Sequence, residues 1–122
     1  MKIERLPGKA LGRSIGSAFG PFVFIATVAN DRTANLVVQT KDLLSRLEDQ
    51  LLALGSHKGA IVSATVYLAD MSRKTEFDNV WVEWIGDDQS HWPQRACVGA
   101  VLAEQTAVEI SVIAVCRAHM SA

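Results

Sequence analysis

Cysteine is scarce in this sequence, with two in 122 residues. That excludes a disulfide framework, and Cys97 and Cys116 read as reduced intracellular thiols. There is no basic run, and the formal net charge is -1. The electrostatic footprint of a nucleic-acid-binding protein is therefore missing. No apolar run approaches the roughly 20 residues of a membrane span. The opening residues, MKIERLPGKALGR, hold no apolar stretch of the signal-peptide kind. These absences predict a cytoplasmic protein whose partners include neither nucleic acid nor membrane. The histidines His57, His91 and His119 share no metal-ligand spacing, and two cysteines do not make a zinc site. Neither G-x-x-x-x-G-K-[ST] nor G-x-G-x-x-G occurs, so nothing supports a bound nucleotide. No repeat, low-complexity segment or linker appears, which predicts one domain over residues 1–122.

What is present is ordinary for a globular chain: 49% hydrophobic and 20% charged residues. Residues 1–12 read as a leader, a short strand or coil. Arg13 to Phe19 is a weak strand, because Gly12 and Gly16 interrupt it. Gly20-Pro21 is a turn signal. Phe22 to Val28, FVFIATV, is β-branched and aromatic and reads as a buried strand. Leu36, Val37, Leu43, Leu44, Leu47, Leu51, Leu52 and Leu54 recur largely at spacings of three and four, which predicts a helix over 36–54. Gly55 closes it as a left-handed cap. Ala60 to Ala69 is a third strand. A second helix, capped by Asp70 or Ser72, runs to about Ile85 and buries Phe77, Val80, Trp81, Trp84 and Ile85. Arg95 to Leu102 and Ala107 to Val115 are the last strands, joined by a turn at Ala103–Thr106 and read as a hairpin.

The order is β-β-α-β-α-β-β, an α+β sheet with two helices packed on one face. The strands are apolar on both parities. An antiparallel sheet with one wet face is polar on that side. A subunit interface is therefore expected over the second face, which makes the chain a homo-oligomer.

Pro93 to Val115 holds the candidate site: Arg95, Cys97 and Glu109 stand in otherwise apolar strands. An arginine on a buried strand face is paired or sits at an opening. Its planar fork matches a carboxylate. Two readings stand side by side: a clamp for a carboxylate-bearing small molecule, or an internal ion pair with Glu109. Cys97 shares the face of Arg95, two residues on. A buried cysteine is usually a small hydrophobe, and no histidine accompanies this one to make it a nucleophile. Glu109 either activates a water near a reacting carbon or serves as the counter-ion of Arg95.

The residues Pro93-Gln94-Arg95-Ala96-Cys97-Val98, followed by Val108-Glu109-Ile110, resemble the Rid family of reactive intermediate deaminases (RidA/YjgF-type, L-PSP endoribonuclease-like). Gln39-Thr40, Gly55-Ser56, Leu68-Ala69-Asp70 and the pair Trp81 and Trp84 extend the likeness over roughly residues 22–117. The resemblance implies a chorismate-mutase-like fold, a homotrimer with clefts between subunits, and no cofactor. It implies that Arg95 binds the substrate carboxylate, Cys97 lines the pocket, and Glu109 orients the water that hydrolyses an imine or enamine. The products are a 2-keto acid and ammonia. The chain departs from the family pattern at Ile25-Ala26-Thr27-Val28, where a glycine is missing. It also lacks a pocket tyrosine near Arg13 to Phe19. Thr27 or Ser14 would supply the lost hydroxyl. A trimeric binding protein for small carboxylates, without turnover, is the alternative. A ribonuclease reading conflicts with the near-neutral charge.

Overall fold

The computed structural model describes residues 2–116. The elements are β1 (Glu4–Leu6), β2 (Gly16–Phe19), β3 (Phe22–Val28), α1 (Leu36–Ala53), β4 (Ile61–Leu68), α2 (Lys74–Ile85), β5 (Gln94–Gly99) and β6 (Val108–Val115). The strands form one six-stranded sheet in the order β1-β2-β3-β6-β4-β5. Only β4 and β5 pair in parallel. Both helices pack on one face, giving the chorismate-mutase-like α+β architecture. The tail RAHMSA, which the sequence predicts to fray, lies outside the described residues, and His119 with it.

The core forms between the helices and that face. From α1 it takes Leu36, Leu43, Leu44, Leu47 and Leu51, at the spacings read from the sequence. From α2 it takes Phe77, Trp81 and Ile85, and from the strands Val23, Ile25, Ala64, Val66, Leu68, Val108, Ile110 and Val112. Each fully buried leucine stabilises by about 1.5–3 kcal/mol, so the leucine stripe is the main reason α1 docks. Asn35 caps α1 by accepting a hydrogen bond from the Val38 N–H at 3.0 Å. At the other end Gly55 adopts φ 83°, and Ser56 N–H donates to Leu51 O at 2.8 Å. This is the left-handed closure that glycine permits.

Four details differ from the sequence reading. Glu4–Leu6 is a sixth strand, registered as Glu4↔Ala18, Arg5↔Ser17 and Leu6↔Gly16. Three residues are too few to show a period. The second strand begins at Gly16, because residues 12–15 form the loop that leads into it. Asp70 caps the 3-10 turn Met71–Arg73 that precedes α2, accepting from Ser72 N–H at 3.0 Å, while α2 itself has no side-chain cap. β5 and β6 are not a hairpin, since β4 lies between them and pairs with both.

The opposite face of the sheet carries Phe19, Phe22, Phe24, Val98 and Ile113, each about two-fifths exposed or more. Ser63, Thr65, Tyr67, Glu109 and Ser111 share it, as the register shows. Ile61 leaves the parity of Ser63, Thr65 and Tyr67 through a register irregularity and joins the core.

Candidate functional site

The parallel register sets Arg95 opposite Ala64 and Cys97 opposite Val66. Ala64 and Val66 point to the helices, so Arg95 and Cys97 do too. There Arg95 meets α2. Its Nη2 donates to Asp78 Oδ1 at 2.5 Å. Its guanidinium lies 5.2 Å from the Phe77 ring centre and 5.3 Å from that of Trp81. Asp78, Phe77 and Trp81 lie within one helical turn, which is why one side chain of β5 reaches all three. The Arg95 side chain is 17% exposed. Its Nη1 and Nε have no hydrogen-bond partner among the described residues.

Asp78 is shared. Its other oxygen accepts from Lys74 Nζ at 2.7 Å. Burial raises the Asp78 carboxyl, but the hydrogen bonds from Lys74 and Arg95 outweigh it and hold the group below its ordinary value. Burial pushes the Cys97 thiol up, and Arg95 and Lys74 do not offset it. The thiol is thereby favoured over the thiolate, which argues against Cys97 as a nucleophile.

Glu109 stands elsewhere. It pairs in register with Val28 and Tyr67, on the face away from the helices. It is half-buried and has no hydrogen bond or ion pair among the described residues. Arg95 and Glu109 thus project from opposite faces of one sheet. The internal pair between them is excluded, and the counter-ion of Arg95 is Asp78. Thr27 faces the helices, 6% exposed, and its hydroxyl accepts from Gln50 Nε2 at 3.3 Å. It therefore shares the helix-covered face with Arg95, but from β3, with β6 and β4 between it and β5, and it faces away from Glu109. Ser14 does line a cleft, on the face of Glu109.

Two further residues went unread as individuals. Asp78 carries no signal in a helix full of charges until the strand register brings Arg95 over it. Gln39, 1% exposed, donates to Ala34 O at 2.9 Å and Gln105 O at 3.0 Å, and accepts from Ala107 N–H at 3.0 Å. It ties the β5–β6 connection to the start of α1 and so fixes where β6, with Glu109, begins. Trp92 is exposed, and its indole donates to Gly86 O at 2.9 Å. Among the described residues no group of three His, Cys, Asp or Glu could hold a metal ion. No helix among them is long and apolar enough to cross a membrane.

A mixed sheet covered by two helices on one face, with a strand arginine locked to the second helix, places the chain among the chorismate-mutase-like α+β proteins. Comparison with known proteins narrows this. The family model described as Endoribonuclease L-PSP matches residues 19–116, and the chain belongs to that family, which is also known as YjgF/RidA. A RutC family protein of Haemophilus influenzae is 39% identical over 83 residues, 67% of this chain and 70% of its own length. A YjgF-family protein of Neisseria meningitidis has a solved structure with TM-score 0.86 and 31% identity, covering 96% of this chain and 97% of that one. A Pseudomonas aeruginosa structure reaches TM-score 0.87 at 28% identity, covering 95% and 100%.

Proposed function

We propose that this protein hydrolyses small reactive imine or enamine acids, of the 2-iminobutanoate or 2-aminoacrylate type, to 2-keto acids and ammonia. The observation that carries the reading is the state of Arg95. Its fork is gripped on one nitrogen by Asp78 and flanked by two rings, while Nη1 and Nε have no partner among the described residues. A guanidinium held so firmly has lost its rotamer freedom before a ligand arrives. The remaining N–H groups, on Nη1, on Nε and the second one on Nη2, suit charge-assisted hydrogen bonds to a carboxylate.

Glu109 supplies the second function. An unpaired, half-buried carboxylate orients a water and takes its proton as the oxygen bonds to the imine carbon. The nitrogen takes that proton to give the carbinolamine, which collapses as its hydroxyl proton passes by way of Glu109 to the nitrogen and the C–N bond breaks, leaving the keto acid and ammonia. No cofactor enters this sequence. Positioning the water and anchoring the carboxylate convert a bimolecular step into one between bound partners.

The two residues face opposite ways within one chain, so a site using both joins Arg95 of one copy to Glu109 of the next. The aromatic open face supports such an assembly, because a sheet face of this kind is unfavourable in water. We read the assembly as a homotrimer with sites at its subunit boundaries. The two free thiols, Cys97 and Cys116, suit a reducing cytoplasm.

The test generates 2-iminobutanoate or 2-aminoacrylate in situ and follows keto-acid release. Wild type is expected to exceed buffer clearly, Arg95→Ala to lose most of that excess, and Glu109→Gln to lose it while still binding. Equal rates for wild type, Arg95→Ala and buffer would sink the reading. The non-catalytic alternative is favoured by one fact, that Asp78 already neutralises Arg95. It predicts 2-ketobutyrate binding by calorimetry with no gain in imine hydrolysis.

A further inference from the structure

Lys74 is the first residue of α2, and helix physics does not explain it there. The N-terminal end of a helix carries partial positive charge, so a cation in the first turn is unfavourable. Its partner is Asp78, four residues on, with Nζ to Oδ2 at 2.7 Å. A cation placed before the acid is the weaker of the two orders for such a pair. The other acid of the first turn, Glu76, is already held by Arg73 through two bonds at 2.8 Å. A residue that goes against its local rules points to a task beyond its own helix.

That task lies across Asp78. One Asp78 oxygen accepts from Arg95 Nη2 at 2.5 Å and the other from Lys74 Nζ at 2.7 Å. Two cations thus share one carboxylate, and the cluster keeps a single net positive charge. The two bonds hold the Asp78 carboxyl below its ordinary value, so it is ionised at neutral pH and the count stands. The Phe77 and Trp81 rings beside Arg95 keep water from screening the cluster on that side. The positive charge of Lys74 is felt at Cys97, two positions along β5 from Arg95. Without Lys74, an arriving carboxylate would meet a neutral pair and the repulsion of Asp78.

We propose that Lys74 is a positioning residue that offsets Asp78, so that Asp78 can hold the Arg95 fork in place without cancelling the charge that draws a carboxylate ligand. Lys74 acts through Asp78 and does not touch the ligand. The inference rests on reading Arg95 as a carboxylate clamp, and it holds for turnover and for binding alone. It removes the objection that Asp78 already neutralises Arg95.

The test is calorimetry of 2-ketobutyrate on the whole protein at low salt. Lys74→Gln is expected to weaken binding about fivefold. Lys74→Arg should stay within about twofold of wild type, because the charge is kept. Lys74→Gln combined with Asp78→Asn removes one charge of each sign and restores the net positive charge. Its affinity should recover to within about twofold of wild type. A lysine that served only the fold would give the opposite result, since a second loss on α2 would add to the first. In imine hydrolysis Lys74→Gln should raise KM and leave kcat nearly unchanged, because the field acts alike on bound substrate and transition state. The proposal is overturned if Lys74→Gln binds as wild type does, if the double variant binds no better than Lys74→Gln, or if kcat falls while KM holds. The clamp reading fails on a different observation, that wild type binds no 2-ketobutyrate or that Arg95→Ala binds it equally well, and the proposal then falls with it. Binding lost in Arg95→Ala but intact in Lys74→Gln sinks the proposal alone.

Discussion

Replacing Asp78 with asparagine tests the central contact of the site. The substitution keeps the shape of the side chain and removes the charge that meets Arg95 at 2.5 Å and Lys74 at 2.7 Å. The Arg95 and Asp78 side chains are 17% and 31% exposed, so their pair falls between a surface ion pair and a buried one. Surface pairs contribute up to about 1 kcal/mol, and breaking a buried one costs about 3–5. A loss of about 1–2 kcal/mol is expected here, because the Phe77 and Trp81 rings still hold the guanidinium. At roughly 2.1 cal/mol/K per residue, the entropy of unfolding 122 residues is about 0.26 kcal/mol/K, so Tm falls by about 4–8 °C. Melting curves at one fixed protein concentration measure it, so that any association of copies weighs equally on both proteins. A double-mutant cycle with Arg95→Gln isolates the pair and is expected to give a coupling of about 1 kcal/mol. The pH dependence has a definite sign. The Asp78 carboxyl is depressed in the folded protein. Its contribution is therefore complete above the unfolded value of about 3.9 and fades as pH falls through the folded one. The gap between wild type and Asp78→Asn should be constant from neutral pH to about 5, and should close below about 4. A coupling under about 0.3 kcal/mol at pH 7, or one undiminished at the acid end, would refute the argument.

Three other substitutions probe separate parts of the molecule. Phe24→Asp puts a charge in the middle of the open face and is expected to reduce the assembly to single chains by light scattering. An unchanged mass would show that this face is not the interface. In a Cys116→Ser background, Cys97 should react with iodoacetamide at pH 7 about tenfold more slowly than free cysteine, because its thiol is pushed up by burial. Fast alkylation at neutral pH would restore it as a candidate nucleophile. Gly55→Ala forces a Cβ into φ 83° and to 3.3 Å from Cys116 Sγ. A loss of about 1–2 kcal/mol is expected by chemical denaturation, and wild-type stability would contradict the cap geometry.

The elements that pack as whole faces were legible in the sequence. FVFIATV became β3 with its bounds intact, and the leucine spacing with Gly55 gave α1 to within a residue. Their signals are local, since each is a period repeated several times. The relations between elements were not legible. Nothing in Arg95 to Val115 says that β4 inserts between β5 and β6, because that placement depends on where a distant strand finds its hydrogen bonds. With a hairpin assumed, Arg95 and Glu109 looked like neighbours. With β4 between them, strand parity sends them to opposite faces. Asp78 was hidden for the same reason, being a surface-like acid until a strand 17 positions later crosses above it. The apolar character of both sheet faces, by contrast, could be read directly, and it pointed to the uncovered aromatic surface.

The strand order has a consequence for how the chain reaches this state. β6 is the last of the described strands to leave the ribosome, yet it lies between β3 and β4 at the centre of the sheet. Until it arrives, β3 and β4 each present a bare edge of unpaired N–H and C=O groups, and the core has no Val108, Ile110 or Val112 to close it. The nascent chain therefore cannot settle strand by strand. It waits, with its stickiest edges open, for the segment that carries Glu109, so synthesis and folding are separated in time. A ribosome that stalls anywhere before Val108 releases a polypeptide primed to pair with its own kind.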